Sequence, residues 1–174
     1  MRAYFPVFLI VLQAVTGSGH TAETARRTVV VETAVLRLVP TLGQLRKSCV
    51  VDGNYDACTN FIGYRLNAQC TREGQSWRLR ATAAFRPWIV LQNIRHLPHE
   101  QEHIGDVHRS VQSLVDSLAQ IEFNDGDACR QRALEEAAAF GQRMRSFAAA
   151  STARMHPSPA YKTTRHRDAA SGQR

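Results

Sequence analysis

From Ile104 to Ile121 the apolar residues fall at Ile104, Val107, Val111, Leu114, Val115, Leu118 and Ile121. Intervals of three and four follow the turn of an α-helix, and so long a stripe commits one face of that helix to a core. The segment starts near His96, with Pro98 where a first helical turn tolerates proline, and Asn124-Asp125-Gly126 ends it. Upstream the period is different. Thr28–Leu38 is rich in β-branched residues and reads as a strand that Pro40 and Gly43 break. Residues 41–60 read as loop and turn with room for one short helical stretch. Phe61–Cys70 alternates in part and reads as a second strand. Trp77–Ala83 alternates Trp, Leu and Ala with Arg78, Arg80 and Thr82, the pattern of a half-exposed strand. Pro87 then bends the chain before the short apolar run Trp88–Leu91. A second helix is expected from Asp127 to Ala150, with Leu134, Ala138, Phe140, Met144 and Phe147 among its apolar positions and Asp127 as its N-cap. Strands first and helices second predict an α+β domain: N-terminal antiparallel strands, then two long helices.

With 174 residues, of which 44% are hydrophobic, the chain suits one domain with short appendages. Residues 1–19 have the order of a secretory signal peptide: Met1-Arg2, an apolar run from Ala3 to Val15, then Thr16-Gly17-Ser18-Gly19. Cleavage after Gly17 or Gly19 leaves small residues at both key positions, and the apolar run is short of the ~20 residues a membrane span needs. Residues 20–27 read as a linker, 28–152 as the domain, and 153–174 as a basic tail. The mature chain is therefore expected outside the cytoplasm, in the periplasm or the extracellular space, with no stable membrane span. An even count of four cysteines, Cys49, Cys58, Cys70 and Cys129, agrees with export and suggests two disulfides. Three pairings are open. The local one joins Cys49 to Cys58, which would leave Cys70 to tie the strands to the last helix through Cys129. No two cysteines stand two to four residues apart, so a zinc site built from them is disfavoured. The net charge of +7 is spread along the strands and tail without the aromatic interleaving of a nucleic-acid surface, and no nucleic-acid partner is expected.

At the head of the long helix stands His99-Glu100-Gln101-Glu102-His103. Residues four apart lie one turn apart on the same helix face, so His99 and His103 can both point at one metal ion. Glu100 lies about 100° round the helix, beside the pair, where a carboxylate can act as general base toward a metal-activated water. Zinc is the cofactor that this His-Glu-x-x-His spacing implies. Because the two histidines continue the stripe through Val107, Ser110, Leu114 and Leu118, they should face inward.

A catalytic zinc takes three protein ligands and a water, so one ligand is missing from the motif. Asp106 shares the face of the two histidines, but its place one turn on suits it better to orienting a histidine. His108 lies nearly opposite His99, and Glu102 faces away as part of a solvated helix face. Glu122 sits near the helix end, Glu135 and Glu136 on the second helix, and His96 ahead of the motif. His156 and His166 both fall in the tail.

The order of these features resembles a family of bacterial exported proteins described as zinc-dependent proteases, domain of unknown function 922. It rests on a signal peptide, strands rich in Trp and Arg, the His-Glu-x-x-His helix, a cysteine (Cys129) opening the next helix, and a tail of the form Tyr-Asp-x-x-Thr-x-His-Gly. Here the tail reads Tyr161-Lys162-Thr163-Thr164-Arg165-His166-Arg167. Tyr161, Thr164 and His166 match, whereas Lys162 replaces the acidic residue and Arg167 the glycine. The resemblance implies a zincin-like active-site helix, His166 as third zinc ligand, and Tyr161 as a hydrogen-bond donor to the developing oxyanion. The expected function is a zinc-dependent hydrolase acting on peptide or protein substrates through Glu100. The alternative is an envelope binding protein that keeps the fold without catalysis.

Overall fold

The computed structural model describes residues 28–49 and 56–156. In chain order the elements are β1 (Val29–Val31), β2 (Val35–Leu38), α1 (Leu42–Ser48), β3 (Ala57–Glu73), β4 (Ser76–Leu91), α2 (Leu97–Ala119), β5 (Glu122–Phe123) and α3 (Gly126–Met155). A short 3₁₀ turn, Ile94–His96, leads into α2.

β4 is the spine of a mixed sheet. On one side it pairs antiparallel with β3 along nearly its whole length, from Ser76 opposite Glu73 to Leu91 opposite Ala57. On its other side three short strands lie end to end: β5 antiparallel at Trp77 and Arg78, β1 parallel at Ala83–Phe85, and β2 parallel at Trp88–Leu91. The first two strands thus run parallel to the spine, which corrects the expected antiparallel N-terminal arrangement. The β-branched residues of Thr28–Leu38 identify extended chain but carry no information about direction, which long-range pairing decides.

Pro87 does not end a strand. Odd-numbered residues of β4 turn their backbone groups toward β1 and β2: Ala83 N–H donates to Thr28, Phe85 C=O accepts from Glu32 and Leu91 C=O accepts from Val39. The N–H that proline lacks therefore faces the interval between β1 and β2, where no ladder partner waits. Two strand segments expected on either side of Pro87 are in fact one. The partner strand is irregular nearby, with a register shift between Ile62 and Arg65 and Gly63 at φ +59°.

The odd residues of β4 also point their side chains at α2 and α3. Leu79, Ala81, Ala83 and Phe85 form the main core with Val107, Val111, Val115 and Leu118 of α2 and Cys129, Ala133, Phe140 and Met144 of α3. α1 covers the opposite face at one end, where Val39 and Leu45 pack with Cys58 and Val90. The disulfides are Cys49–Cys58 and Cys70–Cys129, which settles the pairing: the first closes the loop after α1, the second fastens β3 to the first turn of α3. No helix among the described residues is long and apolar enough to cross a membrane.

Candidate metal centre

α2 begins with Pro98 at its first turn, as the sequence implies, and the buried stripe runs Glu100, His103, Val107, Val111, Val115 and Leu118. His103 and Glu100 are the buried pair of the motif; His99 is half-buried at the rim. A helix pointing its N-terminal turn into a cleft also favours an anionic carboxylate there through its dipole.

The third side chain comes from α3. This helix extends through Met155, beyond the expected end at Ala150, and delivers His156 as the residue that follows it. His99, His103 and His156 bring one ring nitrogen each to within 4.8 Å of one another. The Nε2 atoms of His99 and His156 are 3.2 Å apart. Two nitrogens bound tetrahedrally to one zinc at 2.0–2.1 Å would stand about 3.4 Å apart, so this spacing suits shared coordination. His103 lies 2.9 Å through Nδ1 from Ser151 Oγ, which leaves Nε2 as its ligand atom.

The electrostatics suit a cation. Burial, reinforced by His99 and His156, pushes the His103 imidazole down to about 4. Burial and His99 also lower His156. Both rings are neutral at pH 7, with lone pairs to offer. The cleft is about 260 Å³ and is lined by Asp56, Thr59, Phe61, His96, Glu100 and Thr152 besides the three histidines, with no lysine or arginine among its lining residues. The donor set therefore fits a divalent metal of borderline softness, zinc included.

Glu100 does not join the three nitrogens. It is 4% exposed and accepts a hydrogen bond from Thr59 Oγ1 at 2.8 Å. Burial raises its carboxyl above the usual range, against the opposing effects of Thr59 and His99. A carboxylate with one oxygen held and its proton affinity raised is equipped for proton transfer.

The other sequence candidates sort cleanly. Asp106 is not in the ligand cluster; its carboxylate accepts from Arg154 and Arg109. Glu122 pairs with Arg78 on the sheet. Glu135 accepts from Gln131, and Glu136 is buried between Arg132 and Arg143. None of the three lines the cleft. Glu102, expected to face away, stands 4.0 Å from His99 Nδ1, behind the ring rather than toward the ligand atoms. Tyr161 and His166 lie outside the described residues. The buried positions 129, 133, 136, 140, 144 and 151 carry α3 past Ala150, but His156 falls off that stripe and follows the helix as its C-cap, so helical spacing does not single it out. Composition alone places it in the tail.

Comparison with known proteins gives no match, whether to a protein-family model, a curated protein or a solved structure.

Proposed function

We propose that the chain is an exported zinc-dependent hydrolase, acting on peptides, whose metal ligands are His99, His103 and His156. The convergence of His156 on the His-Glu-x-x-His pair carries this reading. Three imidazoles converging beside a cleft correspond to the open site of a catalytic zinc, whereas structural zinc sites are closed by four protein ligands. When bound, zinc would polarise a substrate carbonyl and lower the pKa of a bound water to about 7.

The chain's own residues would do the rest. Glu100 would receive a proton on the oxygen that Thr59 leaves free and pass it to the leaving nitrogen. Thr59 would keep the carboxylate facing the cleft. Phe61, Ala148 and Thr152 would give the substrate a mainly apolar wall. The resemblance to exported zinc proteases supports the same activity, with His156 in the ligand role that the resemblance implies for His166. Two disulfides suit an oxidising compartment, in keeping with export through residues 1–19.

Glu100→Gln is the decisive variant. It should retain zinc and lose peptide hydrolysis by at least about 100-fold, the usual scale of a general base. A zinc-loaded wild type that cleaves no member of a diverse peptide library would favour the non-catalytic binding alternative.

A further inference from the structure

The last turn of α3 has little apolar burial to hold it. Ser151 is wholly buried, but beyond it Thr152, Met155 and His156 are only half-buried, and Ala153 and Arg154 are exposed. Helix ends of this kind fray, because their final carbonyls lack partners within the helix and each residue fixed there costs backbone entropy. Yet His156 follows this turn as its C-cap, with its N–H bonded to Thr152 C=O at 2.9 Å. Its ring reaches His99 only while the turn stays wound.

Arg154 reaches across from this turn to α2. Its Nη2 and Nε donate to Asp106 Oδ2 at 2.6 and 3.1 Å. The other oxygen, Oδ1, accepts from Arg109 Nη2 at 2.9 Å, on the same helix as Asp106. An exposed ion pair is usually worth little, because two long side chains must be ordered to form it. Here one partner is short, 13% exposed and already anchored by Arg109, and it takes two charge-assisted hydrogen bonds from the other. Asp106 lies one turn past His103 on α2, and Arg154 lies just before His156 on α3. The pair therefore ties the two helices together beside the ligands.

We infer that Arg154, clasped by Asp106, is a positioning residue that keeps the end of α3 wound and so holds His156 at the metal centre. The consequence for metal affinity rests on the zinc reading above; the order of the turn does not. A ligand that occupies its competent position only part of the time lowers the apparent affinity by that fraction. Neither long-range charge nor helix propensity gives the same effect. Removing a cation from beside a metal site should favour binding, and alanine is a better helix former than arginine. A cation in the last turn also favours the helix dipole, so the clasp has to be broken from both sides.

The test uses the full chain, with amide hydrogen exchange by NMR on the metal-free protein and zinc affinity by chelator competition. Arg154→Ala, at an exposed position, should speed exchange in the last turn, His156 N–H included, and weaken zinc binding about three- to tenfold. Asp106→Ala should speed the same amides, and the double variant should exchange no faster than either single, as for two partners in one contact. Arg154→Lys keeps the charge and should recover part of both losses. In a His156→Ala background, Arg154→Ala should change zinc affinity by less than about twofold, because the ligand it positions is gone. Unchanged exchange at His156 in Arg154→Ala would overturn the inference, as would additive effects in the double variant or the full affinity loss in the His156→Ala background. Faster exchange in both single variants, with no zinc bound by the wild type, would uphold the clasp and sink the zinc reading alone.

Discussion

Replacing Cys70 and Cys129 by alanine should cost the protein far more stability than metal affinity. The disulfide spans 59 residues. On the chain-entropy account a loop of that length removes about 14 cal/mol/K from the unfolded ensemble, or about 4 kcal/mol at 25 °C. The Cys49–Cys58 bridge spans 9 residues, for which the same relation gives about 2.6 kcal/mol. Alanine is the right substitute at Cys129, which is fully buried, because serine would bury a hydroxyl without an evident partner. The bridge grips the first turn of α3, whereas His156 follows its last residue, some 40 Å away at 1.5 Å per residue. Contacts of Ser151 and Arg154 with α2 hold that far end independently. Urea unfolding of the metal-free protein should thus show a loss of about 4 kcal/mol for the double variant, with zinc affinity within about threefold of wild type. A loss below about 1 kcal/mol, or a smaller loss than removal of Cys49–Cys58 causes, would refute the loop argument. A collapse of zinc affinity at full folding would refute the separation of the two ends of α3.

Arg154, with Ser151 and Arg109, holds the Asp106 carboxyl below its ordinary value. A depressed folded-state pKa contributes stability above the unfolded value of about 3.9 that is lost as pH falls through the folded value. Asp106→Asn should therefore be less stable than wild type at pH 6, and the gap should close as the pH is taken below about 4; a gap that persists at pH 2 in thermal unfolding would contradict this. At Gly126 a Cβ would lie 2.9 Å from Trp77 Cε2, so Gly126→Ala must push the indole aside at a cost of about 1–3 kcal/mol, despite the better helix propensity of alanine. A stability equal to or above wild type by denaturant unfolding would show that Trp77 can yield.

Much of this was legible in the residues, for reasons that differ by element. The α2 helix announced itself because a stripe from His103 to Leu118 must face one core, and period alone conveys that. The motif fixed the relation of His99, Glu100 and His103, since residues one turn apart share a face whatever the fold. Direction and continuity of strands were not legible. Pro87 reads as a break in one dimension, and only the interval between β1 and β2 explains why a central strand tolerates it. The third ligand was hidden for a similar reason. Ser151-Thr152-Ala153 carries no strong apolar signal, yet the buried contact of Ser151 with His103 and the surface ion pair of Arg154 with Asp106 continue α3 for another turn. Tertiary partners on α2, invisible to local pattern, decide where that helix stops.

The central claim is that His99, His103 and His156 hold one zinc ion between α2 and α3. Zinc affinity by chelator competition on the full chain, across single alanine variants, tests it most directly. Wild type should bind one zinc per chain, with a loss of at least about tenfold in His156→Ala, comparable to His103→Ala, and His166→Ala within about twofold of wild type. Full affinity in His156→Ala, together with a loss in His166→Ala, would contradict it.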